Sequence, residues 1–257
     1  MRATMPRQRL SAHSGSTVSR RPYVGTVTTI TLACPDGPID ALLDVPDAPG
    51  PSPGVVVIHD ALGYGPDKES ISRRIAAAGY VALTPNLYAR GGRARCITRV
   101  FRELLTQRGR ALDDILAARD HLQTHPACTG TVGVAGFCMG GQFALILAPQ
   151  GFAAAAPFYG TPLPRRLEEV LTGACPVVAS FGRRDPLGIG AGDRLRRAAY
   201  HHGITTDIKV YPGAGHSFAN ELPGQPLLRV GGFGYNAEAT EDAWARVFAF
   251  FGDHLGD

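Results

Sequence analysis

Cys138 occupies a position from which its side chain could act as a nucleophile. Glycines lie two positions before and two positions after it, at Gly136 and Gly140, between an apolar run over residues 131–135 and a helix-like stretch over 142–148. A strand, a tight turn and a helix in this order form a nucleophile elbow, in which small flanking residues allow a strained backbone at the apex. The expected nucleophile is the Cys138 thiolate, and a buried structural cysteine is the alternative interpretation.

A helix that starts at Cys138 would also assist the chemistry of that thiol. The free N–H groups and the positive dipole end of a helix N-terminus stabilise a nearby thiolate. We predict that the Met139 N–H binds the oxyanion of a reaction intermediate. A second N–H donor is expected from the loop after the apolar strand Val55–Ile58, at Ala61.

An acid and a histidine follow at the ends of two later predicted strands. Strand Val177–Phe181 leads into a loop with Asp185, and strand Thr206–Tyr211 leads into a glycine-rich loop with His216. Catalytic side chains gather at the carboxyl ends of parallel strands, so Cys138, Asp185 and His216 should meet. The order nucleophile, acid, histidine is that of the α/β-hydrolases. Taken singly, Asp185 could be only a turn residue and His216 only a structural histidine.

Strand and helix patterns alternate along most of the chain and predict its fold. Two short strands near the N-terminus should form an antiparallel pair, at Thr26–Ala33 and Ala41–Val45. Six further strands are predicted at 55–58, 80–83, 131–135, 153–158, 177–181 and 206–211, with helices between them that include a long, mostly helical stretch over 95–124 and a final helix over 239–254. This alternation implies a mostly parallel sheet with helices on both faces. We predict one α/β domain over residues 23–257.

Composition and charge exclude several classes of protein. Hydrophobic residues make up 44% and charged residues 19% of the 257 residues, a composition that excludes a fully disordered chain. No apolar run approaches the roughly 18 residues that a membrane span needs. The formal net charge of +4 comes from residues 1–22, which hold five arginines and no acid, whereas the remainder has 21 basic and 22 acidic residues. We therefore expect neither a membrane nor a nucleic acid as partner.

The N-terminal segment and the cysteines bear on the cellular compartment. Residues 1–22 lack the apolar core of a secretory signal, and we predict a disordered basic tail, with an organelle transit peptide as the alternative. The five cysteines are widely spaced and form no C-x-x-C pair. This pattern predicts a reducing, cytoplasmic compartment without a disulfide framework or a zinc site. We expect a monomer or a weak homodimer.

The chain resembles the dienelactone hydrolases, or carboxymethylenebutenolidases, over about residues 25–255. Four stretches carry the resemblance: Gly136–Gly141, Gly182–Asp185, Gly215–Phe218 and Pro85–Arg90. The resemblance implies hydrolysis of a lactone or small ester by a Cys-His-Asp triad through an acyl thioester. It also implies that no metal or organic cofactor is needed.

The resemblance places three further residues in the site. The family carries a glutamate that engages the resting thiol, and its counterpart here is Asp60, which is one methylene shorter. The alternative is that Asp60 only accepts hydrogen bonds from loop N–H groups. Arg90 matches an arginine that holds the substrate carboxylate, and Asn220 stands where a second arginine is expected. A clamp with one arginine binds a carboxylate less firmly.

Three functions stay open at this point. The first is a hydrolase of the dienelactone type, acting on a lactone or short ester with or without a carboxylate, in a pocket lined by Tyr159 and Phe218. The second is a broader esterase or thioesterase on the same fold, which the departures at Asp60 and Asn220 would favour. The third is a non-catalytic binding protein, and the complete set of three catalytic groups argues against it.

Overall fold

The computed structural model describes residues 27–221 and 231–256, and its elements follow the predicted order. The first two strands, β1 (Thr28–Leu32) and β2 (Ile39–Asp44), form an antiparallel pair. The strands and helices that follow are β3 (Ser52–Ile58), α1 (Pro66–Ala77), β4 (Val81–Pro85), α2 (Gly92–Thr106), α3 (Arg110–Thr124), β5 (Cys128–Phe137), α4 (Met139–Leu147), β6 (Ala155–Phe158), α5 (Leu167–Val170), β7 (Val177–Gly182), α6 (Ala191–His201), β8 (Thr206–Tyr211) and α7 (Ala237–Leu255).

The strands of the described residues form one sheet in the order β1-β2-β4-β3-β5-β6-β7-β8. β1 and β2 run antiparallel to their neighbours, and β3 to β8 run parallel to one another. The predicted mostly parallel sheet with an antiparallel N-terminal pair is confirmed. The chain moves from β3 to β4 on one side and then crosses to β5 on the other. Ligands bind at such switch points, and Asp60 and Cys138 follow the two strands concerned.

Two apolar cores lie on opposite faces of this sheet. One packs beneath α2, α3, α4 and α6, and the other packs beneath α1 and α7, where Trp244 and Phe251 are buried. In β3, Val56 belongs to the first core and Val57 to the second. A strand covered on both faces must be apolar at every position, which explains the continuous apolar run in the sequence.

The long helical stretch predicted over residues 95–124 is divided into α2 and α3. Gln107 ends the first helix in the left-handed conformation with φ 55°, and Gly109 precedes the second with φ 125°. A Cβ at Gly109 would also lie 2.5 Å from the Cγ atom of Glu103. Glycine adopts this positive φ without steric cost, whereas other residues would be strained. The helix therefore ends before Gly109, and the chain changes direction so that α3 packs on the sheet.

Two sequence predictions concern membranes and the N-terminal tail. Within residues 27–221 and 231–256, no helix combines the length and the apolar character that crossing a bilayer requires. The disordered tail predicted for residues 1–22 lies outside the described residues.

Candidate active site

Cys138 lies in the turn that joins β5 to α4. β5 ends at Phe137, α4 begins at Met139, and Cys138 between them has φ 53° and ψ −114°. Residues other than glycine rarely adopt a positive φ, and strained backbone of this kind clusters at active sites. The Cys138 N–H donates to the Phe158 carbonyl at 3.1 Å, which ties the turn to β6. The structure thus has the strand, tight turn and helix that the sequence predicted.

The turn is possible because glycine stands at two crowded positions. A Cβ on Gly136 would clash with the Gly140 carbonyl oxygen. A Cβ on Gly140 would clash with the Ile58 carbonyl oxygen and lie 2.7 Å from that of His59. The turn therefore presses against the end of β3, and the β3–α1 loop (residues 59–65) lies beside Cys138.

Two backbone N–H groups near the thiol are free to bind a ligand. Met139 is the first residue of α4 and Ala61 lies in the β3–α1 loop, and neither N–H is bonded to another described residue. The next N–H, of Leu62, is taken by the Asp60 carboxylate at 2.8 Å. Tyr88 donates its hydroxyl to the Ala61 carbonyl at 3.2 Å, which holds the Ala61–Leu62 peptide of this loop. Paired N–H donors of this kind can hold an oxyanion.

His216 and Asp185 form a buried pair at the ends of β8 and β7. The Nδ1 atom of His216 lies 2.9 Å from Oδ2 of Asp185, and both residues are almost fully buried. Thr161 donates its hydroxyl to the same carboxylate oxygen at 2.8 Å, and the Leu187 N–H donates to the other at 2.8 Å. The carboxylate is therefore fixed on both oxygens, and the structure brings the predicted acid and histidine together.

This pairing changes the pKa of both members. Burial lowers the pKa of His216, but the hydrogen bond to Asp185 and the nearby Cys138 thiol outweigh burial and raise that pKa to about 9. The pKa of Asp185 is lowered although burial opposes this, because His216, Thr161 and the Leu187 N–H donate to its carboxylate. These partners therefore favour the protonated form of His216 at neutral pH.

The second ring nitrogen of His216, Nε2, is not engaged by Asp185. Nε2 is buried and has no hydrogen-bond partner of ordinary geometry among the described residues. The backbone of His216 is held firmly, because its N–H donates to the Gly232 carbonyl at 2.7 Å and its carbonyl accepts from the Gly234 N–H at 2.9 Å. With Nδ1 engaged by Asp185, Nε2 is the atom that can exchange a proton with Cys138 or a substrate.

Asp60 is bonded on both of its carboxylate oxygens. Oδ1 accepts from the Leu62 N–H at 2.8 Å, and Oδ2 accepts from the Lys68 ammonium at 2.9 Å. Lys68 also contacts Asp67 at 2.5 Å and is only 2% exposed. The loop hydrogen bond matches the alternative interpretation of Asp60. Control of the Cys138 thiol by Asp60 stays a prediction.

Arg90 is paired within the protein. Its guanidinium donates to both oxygens of the Asp114 carboxylate, at 2.7 and 3.0 Å, and to the Gly37 carbonyl at 2.6 Å. Asp114 lies in α3 and is 1% exposed. A substrate carboxylate would have to compete with this buried pair. The arrangement therefore does not favour the predicted binding of substrate by Arg90.

The side chains of Tyr159, Phe218 and Asn220 form a buried group next to the His216 ring. All three are fully buried, so in this structure none presents a surface to a substrate. The Tyr159 ring lies 5.3 Å from the His216 ring, and Phe218 lies 5.1 Å from Tyr159. The Tyr159 hydroxyl donates to the side-chain oxygen of Asn220. Their predicted role as substrate contacts is not favoured by this placement, which instead holds the histidine ring in position.

The sequence analysis did not find three side chains of the site: Lys68, Thr161 and Tyr88. Thr161 follows β6 at the carboxyl edge of the sheet, and inspection of that strand end would have pointed to it. Tyr88 lies in the stretch Pro85–Arg90, which carries part of the family resemblance, but only Arg90 was given a role there. No sequence pattern indicated that Lys68 is buried at the site, because a lysine in the first turn of a helix is usually exposed to solvent.

Comparison with known proteins identifies the family. Residues 39–255 match the sequence profile described as the dienelactone hydrolase family. The chain belongs to the dienelactone hydrolase family. Membership of this family places the protein among hydrolases of ester or lactone bonds.

Individual relatives agree with that assignment. A carboxymethylenebutenolidase of Pseudomonas sp. is 30% identical over 224 residues, which cover 82% of this chain and 88% of that protein. Another, from Rhodococcus opacus, is 29% identical over 216 residues and covers 78% and 81% of the two chains. Among solved structures, a dienelactone hydrolase-like promiscuous phosphotriesterase from metagenomic libraries gives a TM-score of 0.76 at 22% identity, covering 90% of this chain and 99% of that one. The shared fold is the α/β-hydrolase fold.

Within residues 27–221 and 231–256, no group of three or more His, Cys, Asp or Glu side chains is arranged so that it could hold a metal ion.

Proposed function

We propose that this protein hydrolyses a small ester or lactone through Cys138, His216 and Asp185, with an acyl thioester as intermediate. The observation that carries the proposal is the buried bond of 2.9 Å between His216 Nδ1 and Asp185 Oδ2. It leaves Nε2 of the same ring for the thiol in the strained turn. A thiol, an imidazole and a carboxylate linked in this order activate a nucleophile.

In the first half of the reaction, the Cys138 thiolate attacks the carbonyl carbon of the substrate. A C–S bond forms, and the π electron pair of the C=O bond moves onto the carbonyl oxygen. The resulting oxyanion accepts hydrogen bonds from the Met139 and Ala61 N–H groups. When this intermediate collapses, the C–O bond to the leaving alcohol breaks and Nε2 of His216 gives that oxygen a proton. With a lactone, the leaving hydroxyl remains attached to the acyl chain.

In the second half, water hydrolyses the thioester. Nε2 of the now neutral His216 takes a proton from the water as its oxygen attacks the thioester carbon. The C–S bond then breaks, the carboxylic acid leaves, and Cys138 returns to the thiolate. Asp185 stabilises the cationic form of His216 in both halves.

A second candidate is a broader esterase for uncharged substrates. Arg90 is paired with Asp114, and Asn220 is buried where the family pattern has a second arginine. Leu62 and Leu187 present apolar surface on the loops after β3 and β7, with 52% and 48% of each residue exposed. These observations favour an uncharged ester over a substrate that must be held by its carboxylate.

The test compares initial hydrolysis rates on a matched pair of substrates, a dienelactone with its carboxylate and an uncharged short-chain aryl ester. We expect Cys138→Ala to lower kcat about 10³-fold or more on the accepted substrate. Cys175→Ala, another free and partly buried cysteine, serves as the control and should keep the wild-type rate.

The three outcomes separate the candidate functions. A Cys138-dependent rate with the carboxylate substrate preferred supports a dienelactone hydrolase. A Cys138-dependent rate with the neutral ester preferred supports the broader esterase. Wild-type rates for Cys138→Ala on both substrates would refute the nucleophile and leave a non-catalytic protein.

A further inference from the structure

A buried ammonium group lies against the residue that precedes the proposed nucleophile. Lys68 is 2% exposed, and its Nζ atom lies 5.7 Å from the centre of the Phe137 ring, the residue that precedes Cys138. A lysine is almost never fully buried unless it is paired, because removing the charge from water is costly. Two aspartates, Asp60 and Asp67, pair with it at 2.9 and 2.5 Å.

These two carboxylates belong to different parts of the site. Asp60 precedes Ala61, the proposed oxyanion donor, and accepts the Leu62 N–H at 2.8 Å. Asp67 lies in the first turn of α1 and accepts from the Asn220 side chain at 2.6 Å and from the Glu221 N–H at 3.2 Å. Lys68 therefore connects the β3–α1 loop to the segment that follows His216.

The connection continues to the histidine itself. Asn220 accepts the Tyr159 hydroxyl, and the Tyr159 ring packs against the His216 ring at 5.3 Å. Buried and partly buried polar contacts thus run from Asp60 through Lys68, Asp67 and Asn220 to Tyr159, whose ring contacts His216. In a water-poor interior such contacts are strong when all are made and costly when one is lost.

We propose that Lys68 is a positioning residue of this active site, which holds the β3–α1 loop against the His216 segment and neutralises Asp60 next to Cys138. The inference rests on the proposed function for its effect on turnover. Its effect on the thiol does not depend on any substrate.

The electrostatic part follows from the arrangement of charges. One ammonium and two carboxylates have a net charge of −1, whereas the two carboxylates without Lys68 would carry −2, and Asp60 belongs to the loop that packs against the Cys138 turn. Like charges at short range disfavour ionisation. Among the described residues, His216, Tyr88 and Tyr159 interact electrostatically with this thiol, and Asp185 is bonded to His216. They are left unchanged in the variants below, so differences between the variants report on the Lys68 cluster.

The experiment measures alkylation of Cys138 by iodoacetamide as a function of pH, followed by mass spectrometry of the peptide that contains it. Lys68→Met keeps the side-chain length and removes the charge, and we expect alkylation near neutral pH to be about tenfold slower, with the pH profile moved to higher pH. Asp60→Asn removes a negative charge, and its profile should move to lower pH. The double variant restores the net charge of −1 and should return towards the wild-type profile.

Lys209→Met is the matched control, because it breaks an exposed ion pair with Asp242 and should leave the profile unchanged. A purely structural role would lower the thermal stability of Lys68→Met without moving the two single variants in opposite directions. Equal pH profiles for folded wild type, Lys68→Met and Asp60→Asn would overturn the proposal. If Lys68→Met does not fold, the shift of Asp60→Asn to lower pH is the deciding result, and its absence refutes the proposal.

Hydrolysis rates then connect the cluster to turnover. With the substrate accepted by the wild type, Lys68→Met should lower kcat more than it raises KM, because the loop and the histidine are misplaced for the reaction rather than for binding. Failure of the proposed function would appear separately, as unchanged hydrolysis in Cys138→Ala, while the alkylation profiles would still test Lys68.

Discussion

Individual side chains of this site are held in costly states. Cys138 keeps a positive φ, and the pKa of His216 is raised to about 9 although burial disfavours its charged form. Both states persist because neighbouring groups compensate for them: glycines relieve the crowding around the turn, and Asp185 balances the imidazolium. Catalytic groups require such poised states, and the surrounding fold must supply the stabilisation.

The coupling of His216 and Asp185 predicts a pH-dependent stability. The pKa of His216 is raised from 6.5 to about 9 in the folded protein. The pair with Asp185 therefore makes its full contribution to the stability of the folded protein below about pH 6.5, and this contribution is lost as the pH rises through about 9. Asp185→Asn removes the charge but keeps an acceptor for the Leu187 N–H. The difference in Tm between wild type and this variant should therefore be largest near pH 6.5 and shrink towards about pH 10.

Thermal unfolding followed at several pH values checks this prediction. The Tm difference between wild type and Lys209→Met, measured over the same pH range, is the control. Lys209→Met removes only an exposed ion pair, so this difference shows the general effect of pH on the protein. A Tm difference for Asp185→Asn that stays constant from about pH 6.5 to about pH 10 would show that His216 does not carry the expected charge.

Helices and strands contribute through the close approach of their backbones. The first turn of α4 packs against the ends of β3 and β6: a Cβ on Gly140 would clash with the Ile58 carbonyl, and one on Gly141 would lie 2.7 Å from the Phe158 carbonyl oxygen. Contacts this close place the start of α4 against the loop that contains Ala61. Side chains larger than hydrogen would separate the two elements.

Gly140→Ala should therefore destabilise the protein by about 3 kcal/mol, because the added methyl group meets backbone that cannot move aside. Gly252→Ala in α7 is the matched control, since a Cβ there meets no atom within 4 Å. In a helix interior this exchange should stabilise by about 0.5–1 kcal/mol. Denaturant unfolding of both variants provides the comparison, and similar changes in stability would contradict the crowding argument.

The molecule as a whole is joined by ion pairs between segments that are distant in the chain. Arg90, after β4, binds Asp114 in α3 and the Gly37 carbonyl between β1 and β2. Arg246 in α7 binds the Asp207 side chain in β8 at 2.9 Å. These pairs fasten the outer elements to the sheet on each side. The pair with Asp114 also engages the guanidinium of Arg90, which the family resemblance assigned to a substrate carboxylate.

Arg90→Met separates these two roles. Removing one partner leaves the Asp114 carboxylate buried and unpaired, so the free energy of unfolding should fall by about 3 kcal/mol. The ratio of kcat/KM values for the carboxylate-bearing and uncharged substrates should stay within about twofold of wild type. Replacing Asp114 by leucine in the same protein should recover much of the lost stability, since a buried pair can be exchanged for apolar packing.

Unfolding in denaturant and hydrolysis of both substrates check this prediction. A rise of KM confined to the carboxylate-bearing substrate, with unchanged stability, would instead establish Arg90 as a substrate-binding residue.

The parts of the fold and site that could be predicted from sequence depend on short spacings. The elbow at Cys138 needs only glycines two positions away on each side and an apolar strand before it. The continuous apolar run of β3 reports burial on both faces. Asp185 and His216 could be placed because the carboxyl ends of adjacent parallel strands lie together, so chain order alone brings them near each other.

The partners of the charged and polar side chains were decided only by the tertiary structure. Asn220 contacts Asp67 across 153 positions of the chain, and Arg90 pairs with Asp114 across 24. Lys68 is buried because Asp60 and Asp67 meet around it. No short spacing encodes such pairs, because long side chains bind whichever opposite charge packing brings within reach, and packing depends on the whole chain.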